Sequence, residues 1–195
     1  MAERGLQLPK SDYDRRRVLR FLPDCPFPDR RTGPALLCAF TTILTQPPTD
    51  PFYDEPVTSI HRIRGRGKGN KAMLGPVGAR PEEGEQQKAI MFGEWEEVFS
   101  GGVLHVTEGV EDALGVLGEG RDPGKRHRPV WALSSKGLMK SMPIISRLRT
   151  IHIWADNDAS GEGLEAAKIL GERYADAGVA PVIHMLKQVG ADYAD

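Results

Sequence analysis

Long apolar runs are missing from this sequence. No stretch approaches the roughly 20 residues that a membrane-spanning helix needs. The opening MAERGLQLPKSDYDRRR lacks the apolar core of a secretory signal. Cysteine is scarce: Cys25 and Cys38 are the only two. That excludes a disulfide framework and a four-cysteine zinc site, and leaves two ordinary reduced thiols as the expectation. Together these shortages predict a cytoplasmic protein with no membrane partner. A phosphate-binding P-loop is absent too, because the glycines of Gly65–Gly69 have neither the spacing nor the Lys-Ser/Thr ending of that motif. Net charge is small, −1 over 195 residues. The balance is uneven along the chain. Six basic residues and no acidic one lie between Val57 and Pro81, and six glutamates lie between Glu82 and Glu97. A near-neutral total therefore conceals a local basic face.

What is present divides at about residue 102. Residues 1–102 read as a β-rich, basic-loop subdomain. A charged segment, Asp12–Leu22, is expected to form one amphipathic helix with Val18, Leu19 and Leu22 on its apolar side, ended by Pro23, Pro26 and Pro28. Three strand-like stretches follow, Ala35–Leu44, Val57–Ile63 and Lys88–Phe92, separated by Pro, Gly and Asp clusters. An antiparallel or mixed sheet is expected there. Residues 103–195 change character. Strands are expected at Val103–Thr107, Val130–Leu133, Thr150–Ala155 and Val182–Leu186. Helices are expected at Gly109–Leu117, Ile144–Leu148 and Glu162–Ala177. Gly178 sits where a glycine stops the last helix. Met139, Met142 and Ile145 resemble one apolar helix face. Such alternation predicts an α/β fold with a four-stranded parallel sheet flanked by helices.

In parallel α/β sheets, chemistry collects at the carboxyl ends of the strands. Two such ends carry acids here. Glu108 follows VLHVT, and Asp156 and Asp158 follow TIHIWA in the string ADNDASGEG. Three carboxylates meeting on one edge would suit Mg²⁺, or Mn²⁺, a hard cation that takes oxygen ligands from a few acids and completes its shell with waters and phosphates. Taken singly, each acid also has a structural reading. Glu108 and Asp158 would suit a helix N-terminus, and Asp156 a turn. His105 and His152 lie inside strands and are expected to pack or hydrogen-bond. Trp131 and Trp154 are expected in the core. Lys136 follows the second strand on the active edge, where it is either a phosphate contact or a surface lysine.

The pairing of TEGVEDAL (Thr107–Leu114) with WADNDASGEGLEAA (Trp154–Ala167) resembles the Toprim domain shared by bacterial-type primases, topoisomerases and a group of nucleases. The resemblance covers about Val103 to Asp195. It implies an acid/base role for Glu108, which is also placed in the metal site, and Mg²⁺ binding for Asp156 and Asp158. A narrower resemblance is to the Toprim primase-like proteins of phages and plasmids, carried by EGVEDAL, by DNDASG before a long helix, and by GADYAD at Gly190–Asp195. That resemblance adds Asp192 to the metal set and leaves Asp195 between a metal role and a solvated tail. The upstream run SIHRIRGRGKGNKAMLGPVG (Ser59–Gly78) resembles the segment that precedes Toprim in those proteins. Its Arg62, Arg64, Arg66, Lys68 and Lys71 also fit phosphate contact on chemical grounds, against the alternative of a solvated hairpin tip.

The expected function is a Mg²⁺-dependent (or Mn²⁺-dependent) primase-like nucleotidyltransferase. It would join nucleoside triphosphates on a single-stranded DNA template, in DNA replication. Two departures qualify this. No cysteine and histidine cluster supplies the zinc-binding module such primases usually carry, and no Walker motif marks a helicase. Either would come from a separate partner. The alternatives are a Toprim nuclease and a non-catalytic nucleic-acid-binding protein. A topoisomerase would need a nucleophilic tyrosine, and Tyr174 and Tyr193 have no supporting motif.

Overall fold

A computed structural model describes residues 8–9, 11–50, 56–57, 59–64, 70–79, 86–118 and 127–185. A π-helical turn, Asp14–Val18, opens the described fold. It is followed by β1 (Leu19–Pro26), β2 (Thr32–Thr42), β3 (Ser59–Ile63), β4 (Lys71–Leu74) and β5 (Lys88–Phe92). Then come α1 (Trp95–Gly101), β6 (Val103–Thr107), α2 (Val110–Val116), β7 (Val130–Ala132), α3 (Lys136–Ser141), β8 (Thr150–Ala155), α4 (Glu162–Asp176) and β9 (Ala180–Met185). The strands join in one sheet, ordered β4-β3-β2-β5-β7-β6-β8-β9, with β1 paired to β2 beside that path. Pairing is antiparallel from β1 through β5 and onto β7. From β7 through β6 and β8 to β9 it is parallel. The result is the expected α/β fold with a β-rich N-terminal region.

Strand β5 shows why the two regions adjoin. All five residues of KAIMF are buried. Ala89 and Met91 enter a core with Val98, Leu104, Trp131, Ile153 and Leu170. Ile90 and Phe92 enter a second core with Phe40, Val110, Leu114 and Val130. A strand covered on both faces reads as an unbroken apolar run, and the period of two sends neighbours to opposite layers. Trp131 on β7 does the same, lying in the first core while Val130 and Ala132 lie in the second. Helix α4 closes the first core with Ala167, Leu170 and Tyr174 buried, and Leu164 and Ile169 half-buried. The Tyr174 hydroxyl donates to the Pro143 carbonyl at 2.8 Å.

Three expectations are corrected. Asp12–Leu22 is not one helix: after the π-helical turn the chain becomes β1, pairing Leu19 with Cys38 and Leu22 with Ala35. Val18 and Leu19 are buried as the apolar spacing requires, but the edge of β2 supplies backbone partners that an isolated helix could not match. Ile144–Leu148 is a turn containing Arg147 at φ 63°. Met139, Met142 and Ile145 are all buried in one core, yet only Met139 lies in α3. Their spacing reports a shared core. Strand β4 and helix α1 were not anticipated.

An ion-pair clamp ties the N-terminal turn to the parallel region. The Arg128 guanidinium pairs with fully buried Asp14 and, at 2.9 Å, with Glu97 in α1. Asp14 also accepts the Gly93 N–H at 3.1 Å. Cys25 and Cys38 are free and buried, and burial pushes the Cys38 thiol upward, away from the reactive thiolate. Among the described residues, no helix is long and apolar enough to cross a membrane.

Candidate metal and nucleic-acid site

Glu108 occupies the corner between β6 and α2. The Thr107 hydroxyl closes this corner by donating to the Gly109 carbonyl at 2.8 Å. Gly109, not Glu108, is the residue that caps α2. The Glu108 backbone carbonyl accepts the Ser134 N–H at 2.8 Å, which binds this corner to the one after β7. Ser135 then caps α3 by accepting the Leu138 N–H at 3.2 Å, setting Lys136 at the first helical position. The Glu108 carboxyl is half-buried. Its pKa is raised, first by loss of water and then by the charges of Asp156 and Asp158, while the Lys136 ammonium opposes the shift.

Asp156 and Asp158 leave β8 on the same edge. Gly161 caps α4 at φ 72°, a conformation that favours glycine, and its N–H donates to the Asp158 carbonyl at 3.1 Å. Gly163 lets the helix approach: a Cβ there would come within 2.5 Å of the Asp156 carbonyl oxygen. The structural reading of Asp158 as the helix cap therefore fails, since Ser160 accepts the Glu162 N–H at 3.3 Å. The Asp158 side chain is instead held mainly by two side-chain donors, with the Gly161 N–H adding a weaker backbone contact. The Ser160 hydroxyl reaches Oδ1 at 2.7 Å, and Lys136 Nζ reaches Oδ2 at 2.5 Å. The same ammonium lies 3.1 Å from Glu162 Oε2. These contacts, Lys136 first, pull the Asp158 carboxyl down to about 2 and push the lysine upward.

A cavity of about 490 Å³ opens where this edge meets the β3–β4 hairpin. Glu108, Glu111, Asp112 and Asp156 are its acidic lining residues, and His61 and Lys71 line it too. Met73, Ile90 and Val110 are among its apolar lining residues. Lys71 Nζ pairs with Glu111 Oε1 at 2.6 Å, bridging β4 and α2. The basic run of the sequence includes both His61 and Lys71, whereas Glu111, Asp112 and Ser134 as lining residues, and Glu162 as a partner of Lys136, are not among its expected site residues. Glu111 and Asp112 were legible inside EGVEDAL, and Glu162 inside ASGEG.

Arg62 and Arg64 are placed elsewhere. Arg62 alternates away from His61 on β3 and donates to the Pro26 carbonyl at 2.6 Å. Arg64 pairs with Asp29 at 3.1 Å, and its guanidinium lies 4.5 Å from the centre of the Phe27 ring. Both are engaged with the β1–β2 hairpin. Arg66, Lys68 and Asp192 lie outside the described residues. The strand histidines pack as expected. His105 is buried and accepts the Trp154 indole N–H at 3.2 Å, and burial first of all holds its imidazole down at about 3. His152 Nδ1 lies 2.8 Å from His184 Nε2. Trp131 is fully buried and Trp154 half-buried.

Glu108, Asp156 and Asp158 offer oxygen donors only. That donor set, together with the charge repulsion that raises Glu108, fits a hard divalent cation. Among the described residues, no three acidic, imidazole or thiol side chains already converge at metal-ligand spacing. No curated protein matches the chain. A family model, described as the Toprim domain, matches residues 103–195, a span that starts at the first residue of β6 and contains Glu108, Asp156, Asp158 and Lys136. Toprim domains bind divalent metal ions, usually Mg²⁺, and are typically found in enzymes that act on nucleic acids. Residues 103–195 are a Toprim domain.

Proposed function

We propose that the chain is a primase-like nucleotidyltransferase that extends ribonucleotides on single-stranded DNA with Mg²⁺ or Mn²⁺. The observation that carries this reading is the shared cavity, whose lining combines the Lys71 ammonium of the N-terminal hairpin with Glu108 and Asp156 of the Toprim domain. A polymerising site needs a cationic group for the triphosphate and carboxylates for the metal around one space of nucleotide size. Asp156 and Asp158, with Asp192 as a further donor, would hold the metal. When bound, the metal neutralises developing charge on the transferred phosphoryl group. Glu108 is suited to accept the proton of the attacking hydroxyl, because burial and neighbouring acids bring its proton affinity closer to neutrality. Lys71 and Lys136 would contact the triphosphate, and Arg66 and Lys68 the template. Most of the acceleration would come from positioning and charge compensation. A helicase or a zinc-binding module would act as a separate partner.

The test supplies labelled ribonucleoside triphosphates and single-stranded DNA with Mg²⁺ or Mn²⁺, beside an Asp156→Ala, Asp158→Ala double variant. Short RNA products from the unaltered chain, and none from the variant, support the reading. Shortening of the DNA replaces it with a nuclease. Metal-independent DNA binding without turnover replaces it with an accessory role.

A further inference from the structure

We propose that Lys136 is a built-in counter-ion of the acidic edge that a divalent cation displaces, so that metal binding releases its ammonium toward the substrate phosphates. This rests on the reading that Asp156 and Asp158 hold a metal.

The local setting of Lys136 is unfavourable on its own. It occupies the first position of α3, and the first turn of that helix carries no acid. The positive end of a helix favours anions, not a lysine. What holds the ammonium is the opposite corner. It lies 2.5 Å from Asp158 Oδ2 and 3.1 Å from Glu162 Oε2, and it also acts on Glu108. Without a metal this ammonium offsets the charge of Asp158 and Glu162 directly and that of Glu108 at longer range.

Both oxygens of Asp158 are engaged, Oδ1 by the Ser160 hydroxyl and Oδ2 by Lys136. A divalent ion that takes Asp158 as a ligand arrives beside the ammonium. Two cations in contact with one carboxylate repel each other, and the more highly charged one has the stronger claim on it. Lys136 is flexible and only partly covered, with 28% of its side chain exposed, so it can leave. Released, it stays on α3, next to Ser134 in the cavity lining, where the phosphates of a nucleotide would lie. Metal arrival and phosphate capture would thus be coupled through one side chain.

The same helix pair contains a control. Lys140 Nζ pairs with Glu165 Oε1 at 3.0 Å, one turn further along α3. It touches none of the acids that follow β6 and β8.

The experiment uses the full chain and Mn²⁺. Free Mn²⁺ is counted by its electron paramagnetic resonance signal for the unaltered protein, for Lys136→Met, and for the Asp156→Ala, Asp158→Ala double variant. In parallel, lysines are acetylated with and without Mn²⁺ and the rates read by mass spectrometry. The expected results are Mn²⁺ binding that the double variant loses, and binding about tenfold tighter in K136M, the scale of removing one like charge near the surface. Acetylation of Lys136 should accelerate severalfold with Mn²⁺ while that of Lys140 stays constant. Unchanged or slower labelling of Lys136 when Mn²⁺ is bound, or equal affinity in K136M, overturns the displacement but leaves the metal reading standing. Mn²⁺ binding that survives in the double variant overturns both.

Discussion

The β1–β4 region and the Toprim region both carry charge in abundance, yet they use it in opposite ways. On β3, Arg62 and the residue beyond its end, Arg64, are bound to Pro26, Asp29 and Phe27 of the first hairpin, and His61 is the β3 residue that lines the cavity. In the Toprim region the acids sit past the ends of β6 and β8, where no strand parity commits them, and parallel topology brings those ends to one edge. A charge inside a strand is assigned by its register. A charge at a βα corner is assigned by the order of the strands. The second kind is available for chemistry because the sheet does not need it.

This contrast can be broken at several points. The largest effect is expected from the Asp156→Ala, Asp158→Ala double variant, which should lose on the order of 10³-fold or more of metal-dependent turnover, the scale of removing a main electrostatic element of a phosphoryl-transfer site. Circular dichroism should show it folded. If turnover persists, the corner acids are not the reactive set.

Next comes the join between the regions. Arg128→Met leaves Asp14 buried with its cationic partner gone. Urea unfolding should show a loss of about 3–5 kcal/mol, the cost of stranding one member of a buried pair. A loss under 1 kcal/mol would mean that the clamp is solvated and that the N-terminal turn is held by Val18 and Leu19 alone.

The two kinds of cation separate in a third comparison. Lys71→Met should weaken nucleotide or template affinity about tenfold with little change in stability, since Lys71 lines the cavity. Arg64→Met should leave affinity unchanged and cost about 1 kcal/mol in urea, because its partners are Asp29 and Phe27. The opposite pattern would reverse the assignment of the hairpin's faces.

The smallest effect concerns pH. The raised pKa of Glu108 means that the folded state holds its proton more tightly than the unfolded chain does. Its contribution to stability is therefore complete below the unfolded value of about 4.5 and is lost as pH rises through the higher folded value. Glu108→Gln should flatten that decline in metal-free protein, measured as Tm against pH between about 4 and 7. An unchanged slope would show that Glu108 is solvated and not pressed by Asp156.

The parallel half was legible because its signals are redundant. VLHVT and TIHIWA are apolar runs of strand length, EAAKILGERYAD has helical spacing, and acids follow both strands. KAIMF was legible for the same reason. The failures came where a local pattern had a competing tertiary partner. Val18 and Leu19 needed burial, which both a helix and a strand on β2 provide, and backbone pairing decided for the strand. Met139, Met142 and Ile145 shared a core through a turn. The basic run from Arg62 to Lys71 was read as one surface, but a pleated strand faces two ways.

The order of residues by itself determined the kinds of chemistry available: oxygen donors without cysteine clusters, a basic segment upstream, and no long apolar span. It also determined which strands are buried on both sides, because an apolar run such as Ala89–Phe92, with no polar alternation, has no face suited to water. Only the tertiary structure decided that Lys71 and His61 share a cavity with Glu108 and Asp156 while Arg62 turns away, and that Lys136 sits against Asp158. Such pairings join residues far apart in the chain, and they are set by strand order and register, which no local spacing encodes.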